Sequence, residues 1–142
     1  MKLAIGSDHA GLGLKAAIVG HLKAKGHEVT DLGTHTSESC DYPVFAKAVA
    51  HAVADGSYPR GLLVCGTGQG MAMAANRVAG VRAAVVADTF SARMTAAHND
   101  CNVLCLGARV VGEGLALDIV DAWVGTAFEG GRHAHRVAMI EG

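Results

Sequence analysis

The chain has 142 residues, 51% of them hydrophobic and 18% charged, and a net charge of -1. These values suit one soluble domain, residues 1–142, that buries roughly two-thirds of its unfolded surface. Interspersed charges leave no basic stripe for nucleic acid, and no run nears the roughly 18 apolar residues that cross a membrane. The amino-terminal MKLAIGSDHAG holds too short an apolar run for a secretory signal, so a cytoplasmic location is expected. The four cysteines, Cys40, Cys65, Cys101 and Cys105, contain no CxxC pair, and three of them read as ordinary packing or near-surface thiols.

In chain order, KLAIGSD (2–8) is predicted as a strand, followed by a helix over 11–25 with Leu14, Ile18 and Leu22 on one face. Gly26 is its expected stop. HEVTDLG (27–33) reads as a second strand and YPVFAKAVAHAVA (42–54) as a helix with Pro43 in its first turn. GLLVC (61–65) is apolar throughout, as a parallel strand buried on both faces should be. A glycine loop and a helix to about Val78 follow, then a strand RAAVVAD (82–88) and a helix from about Phe90 to His98. VLCLGARV (103–110) is the fifth strand, Gly114 to Phe128 a helix, and Arg132 to Ile140 a short basic helix. Alternating strands and helices predict right-handed βαβ crossovers: an α/β, Rossmann-like α/β/α sandwich on a five-stranded parallel sheet.

Ligands of such sheets sit beyond the carboxyl ends of the strands. The polar residues there are Asp8 and His9, Cys65 with Gly66 to Gly70, Asp88 and Arg109. A loop carrying Gly66, Gly68 and Gly70 between strand and helix can aim several N–H groups at one anionic point. A nucleotide P-loop would need a lysine where Met71 stands, which rules that reading out. A dinucleotide loop with Asp88 on a ribose, a purely structural turn, and a catalytic thiol all remain open. In the last case a thiolate at a helix amino terminus, beside N–H donors, would suit proton abstraction next to a carbonyl. His98-Asn99 ends a helix, and Arg132 and Arg136, one turn apart, can grip one anion from the same face.

Six segments, GSDHAG (6–11), DYPVFA (41–46), CGTGQG (65–70), ANRVAGVRAA (75–84), HNDCNVLCLGARV (98–110) and GGRHAHRV (130–137), carry a resemblance over nearly the whole chain. In that order they resemble the B-type ribose-5-phosphate isomerases and the related galactose-6-phosphate isomerase subunits. The resemblance implies a homodimer, often paired into tetramers, with active sites between subunits and neither metal nor organic cofactor. It further implies Cys65 as the base, Thr67 moving protons between sugar oxygens, and the backbone amides of Gly66 to Gly70, those of Gly66, Gly68 and Gly70 among them, stabilising an enediolate. His98 would open the sugar ring, while Asp8, Tyr42 and Asn99 hold hydroxyls. His9, Arg109, Arg132 and Arg136 would bind phosphate, with Asn99 and Arg109 reaching across from the partner. Met71 after the loop and the presence of Cys65 place the chain in the cysteine branch. Val44, Gly13, Cys101 and His135 depart from the common pattern without removing a catalytic group. Isomerisation of a tetrulose or galactose phosphate and a small nucleotide-binding module are the alternatives.

Overall fold

A computed structural model describes residues 1–142. Five strands, β1 (Lys2–Ser7), β2 (Glu28–Asp31), β3 (Arg60–Cys65), β4 (Ala83–Val85) and β5 (Val103–Gly107), form one parallel sheet in the order β2-β1-β3-β5-β4. Six helices accompany them: α1 (Leu12–Ala24), α2 (Tyr42–Ala54), α3 (Gln69–Ala75), α4 (Thr89–Asn99), α5 (Glu113–Val124) and α6 (Arg132–Glu141). The α/β fold expected from the alternation is thus present. None of the helices is long and apolar enough to cross a membrane.

Side chains alternate across each strand, so one apolar run feeds two cores. Leu3, Ile5, Leu62, Val64, Leu104 and Leu106 face α1, α4 and α5, where Ile18, Ala96, Ile119 and Trp123 are buried. Ala4, Leu63, Cys65, Val103 and Cys105 face α2 and α3, with Val49, Val53, Met71 and Ala75. Small residues on this second face let α2 and α3 lie close to the strands.

Several element ends fall earlier than the sequence pattern predicts. The helix expected to reach Phe128 stops at Val124, where the Arg60 guanidinium takes up the carbonyls at its end, donating to Trp123 O at 2.5 Å and Thr126 O at 2.8 Å. β5 ends at Gly107 because the N–H groups of Val110 and Val111 both turn back to Gly107 O at 3.0 Å. The edge strand β4 is shorter than predicted, and α3 stops before Asn76. The Asn76 amide then pairs with both the N–H and the C=O of Ala83, at 2.8 and 2.9 Å, closing part of the exposed edge.

β1 and β3 are neighbours, yet the chain leaves β1 toward one edge of the sheet and β3 toward the other. Their carboxyl ends therefore border a crevice of the kind in which α/β sheets bind ligands.

Candidate active site

The loops after β1 and β3 meet at this crevice. Asp8 N–H donates to Val64 O at 3.2 Å, and Asp8 Oδ1 accepts from Gly11 N–H at 3.1 Å, so the carboxylate is buried against the opening turn of α1. His9 Nδ1 accepts from Cys40 N–H at 3.2 Å. In the neutral ring the proton then resides on Nε2, leaving that edge free to donate. The segment that brings Cys40 here is tied down by Lys15, whose buried ammonium donates to Asp31 Oδ1 at 2.7 Å and to Thr34 O. Tyr42 opens α2 and lays its ring on Gly70, filling the space a side chain there would occupy.

Cys65 is the last residue of β3, and its Sγ accepts from Gly68 N–H at 3.0 Å. Gly68 adopts a φ of 83°, a left-handed conformation that suits glycine and turns its amide back on the sulfur as α3 begins. Gly68 N–H is therefore engaged by Cys65, which corrects the expectation that every amide of the loop faces a ligand. The N–H groups of Gly66, Thr67 and Gly70 make no hydrogen bond within the chain and stay available. Thr67 is exposed; its Oγ1 accepts from Gln69 N–H at 3.2 Å, leaving its own proton to donate outward.

Arg109 lies beside the same loop. Its N–H donates to Gly66 O at 3.0 Å, and a Cβ built on Gly66 would lie 3.5 Å from Arg109 Nη1. The side chain thus lies against the loop of its own chain and does not have to arrive from a partner. The other predicted residues lie elsewhere. α4 begins beyond the carboxyl end of β4 and runs back, so His98 and Asn99 close it at the amino end of the sheet. α6 packs beside α4 there, with Arg132 and Arg136 exposed, and its final residue Glu141 accepts from Arg82 Nη1 at 2.6 Å. The predicted residues therefore form two groups at opposite ends of one sheet. Asp8, His9, Tyr42, Cys65, Thr67 and Arg109 lie at the carboxyl end; His98, Asn99, Arg132 and Arg136 lie at the amino end.

Comparison with known proteins bears on which chemistry these groups serve. A profile of the Ribose/Galactose Isomerase family matches residues 3–140. The chain belongs to the ribose/galactose isomerase family. It is 53% identical to the ribose-5-phosphate isomerase B of Escherichia coli, over 98% of this chain and 93% of that protein. The solved structure of Clostridium thermocellum ribose-5-phosphate isomerase B superposes with a TM-score of 0.98 at 55% identity, covering 99% of this chain and 95% of the other. That of the Mycoplasma genitalium enzyme, with bound ribulose-5-phosphate, gives 0.96 at 44% identity, covering 99% and 93%.

In this member of the ribose/galactose isomerase family, Asp88 does not behave as a ribose reader. It caps α4, accepting from Ser91 N–H at 2.6 Å and Ser91 Oγ at 2.8 Å, and those bonds hold its carboxyl below the usual carboxylate range. Cavities of about 510, 640 and 340 Å³ indent the chain, and none is lined by Cys65. The first, beside the ends of α3, α4 and α6, is lined by Asn99, Arg82 and Ile140 among others.

Two residues that were not singled out for a role stand beside His98. His133 is buried with its ring stacked on that of His98, and Glu129 lies within 4 Å of both. The GGRHAHRV segment signalled a basic helix, but spacing alone does not say that His133 turns inward while His135 stays exposed.

Proposed function

We propose that this protein interconverts ribose 5-phosphate and ribulose 5-phosphate through an enediolate, with Cys65 as the base. The observation that carries the reading is the Cys65 thiol, fixed by Gly68 N–H beside three unengaged amides at the sheet's ligand-binding end. From the open-chain aldose, the Cys65 thiolate takes the C2 proton and the C2–H electron pair becomes the C1=C2 bond. The carbonyl electrons move to O1, where the N–H groups of Gly66, Thr67 and Gly70 meet the developing charge. Thr67 passes a proton between O1 and O2, and Cys65 returns its proton to C1. The reaction relocates protons and leaves the overall oxidation level of the sugar unchanged. The step therefore needs no redox cofactor, and the chain's own groups can carry the protons.

The substrate phosphate is bound by His9 and Arg109 from one chain, and by Arg132 and Arg136 from a second copy, which also brings His98 and Asn99. The separation of the two groups across one sheet supports this homodimer. Large apolar side chains exposed around edge strand β4 support it as well: Met73 on α3, Phe90 on α4, and Met139 and Ile140 on α6. Pairing of dimers would give a tetramer. Unpaired cysteines fit a reducing cytoplasm.

A coupled assay over four-, five- and six-carbon sugar phosphates tests the substrate, with highest kcat/KM expected on the ribose 5-phosphate pair. A higher value on a tetrose or galactose phosphate would move the assignment to that sugar. Cys65→Ala should lower kcat by roughly 10²- to 10⁴-fold with an unchanged Tm, since a proton-transfer base acts in the transition state. Turnover retained in that variant would remove Cys65 from its role.

A further inference from the structure

His98 is held in a built arrangement. Its ring lies 4.1 Å, centroid to centroid, from that of His133 with the planes 10° apart. Glu129 Oε1 is 3.8 Å from His98 Nε2 and 3.7 Å from His133 Nε2. His133 is only 7% exposed, and its Nε2 has no hydrogen-bond partner. The backbone locks all three groups in place. Glu129 N–H donates to Ala97 O in the last turn of α4, at 3.0 Å, and His133 N–H donates to Gly130 O at 3.1 Å. Gly130 and Gly131, with φ of 68° and 57°, turn the chain between them into α6.

Two histidines and a glutamate are also a possible ligand set for a divalent cation, their ligand atoms lying within 4.8 Å of one another. The stacking opposes that use. Imidazole nitrogens bind a cation through lone pairs in the ring plane, at about 2 Å. In two face-to-face rings those lone pairs run side by side, and the rings would have to separate before they could converge.

We infer that Glu129 and His133 are positioning residues that hold His98 for the opening of the sugar ring, an inference that rests on the proposed isomerase reading. In that step the anomeric hydroxyl gives its proton to His98, and its electron pair forms the C1=O1 bond. The C1–O4 bond breaks, and O4 takes the proton back from His98, so the aldehyde forms with no net proton change. His98 is transiently cationic, and the Glu129 carboxylate opposes that charge. His133 serves as a flat uncharged plate against which His98 keeps its orientation. Burial first, then the neighbouring charges of His98 and Arg132, push His133 below its ordinary range and keep it neutral.

Ribose 5-phosphate closes to a furanose. Ribulose 5-phosphate carries its phosphate on the oxygen that a ketofuranose ring would need, and so stays acyclic. A group that serves ring opening therefore matters when catalysis starts from the aldose. It matters little when catalysis starts from the ketose, whose aldehyde product can close in solution. Initial rates in both directions would be measured on the full-length protein for wild type, Glu129→Gln, His133→Ala and His133→Phe, with His98→Asn for reference. Glu129→Gln and His133→Ala should lower kcat from ribose 5-phosphate about 10-fold, a part of the general acid–base contribution. KM should stay within about twofold, and the rate from ribulose 5-phosphate should change about twofold or less. His133→Phe, which keeps a flat ring in the same space, should regain most of the loss and covers the case in which the alanine variant is unstable. Equal losses in both directions, or none, would overturn the inference provided that His98→Asn is itself impaired more from the aldose. If His98→Asn shows no such preference, there is no ring-opening step to support and the inference falls with it. Failure of wild type on both sugars would instead count against the isomerase reading.

Discussion

Among the buried thiols, Cys65 is set apart by what its sulfur touches. Cys105 is fully buried and Cys101 nearly so, and burial pushes both thiols up, Cys105 well above its ordinary value. Those two serve packing, whereas Cys65 meets an N–H donor at the mouth of a loop. The loop in turn depends on Gly107 of the neighbouring strand. A Cβ at that position would lie 2.7 Å from the backbone C and O of Thr67, and two backbones cannot yield as a flexible side chain would. Gly107→Ala should therefore destabilise the protein by about 1–3 kcal/mol, the usual range for overpacking. It should also lower kcat by displacing Thr67, and denaturant unfolding together with kinetics would measure both. Wild-type values in both would mean that the loop is not seated on β5 as described.

At the scale of elements, α6 carries a histidine whose protonation opposes folding. His133 has a folded-state pKa depressed below the ordinary 6.5, by burial first and then by His98, Arg132 and Arg136, which together outweigh the opposing Glu129 carboxylate. Above about pH 6.5 the ring is neutral in both folded and unfolded chains, and its environment costs nothing. As pH falls below that value the unfolded chain takes up the proton first, so stability is lost until the folded-state pKa is reached. Tm should accordingly fall between pH 7 and 5, and more steeply for wild type than for His133→Gln. Parallel curves would show that His133 does not contribute to the acid limb. The existence of α6 was legible from its basic pattern, α1 from its apolar spacing and glycine stop, and α2 from Pro43 in its first turn. The early end of α5 was not, because it depends on Arg60, remote in sequence, reaching Trp123 O and Thr126 O.

Across the whole molecule, the separation of the two groups of site residues makes a prediction about mixed subunits. If a second copy completes each site, Cys65→Ala chains and Arg136→Ala chains are damaged in different halves. After random exchange, half the dimers are mixed and each keeps one intact site, so about a quarter of wild-type activity should return. Arg109→Ala mixed with Cys65→Ala should recover nothing, because both changes damage the same half. Activity recovered by the second mixture would place Arg109 across the interface. No recovery by the first, after verified exchange, would mean that sites are built within single chains.

The amino-acid sequence by itself determined the α/β class, the strand and helix order, and the Cys65–Gly70 loop. These follow from side-chain periodicity and from glycine and cap chemistry, all local along the chain. It also carried the family, through six short motifs in order. Only the tertiary structure decided that Gly68 gives its amide to Cys65 and that Arg109 lies on Gly66 of its own chain. It likewise decided that His133 turns inward against His98 and that Asp88 is engaged in capping α4. Each of these depends on where a group points once distant segments have packed, and the spacing of residues along a chain does not encode that direction.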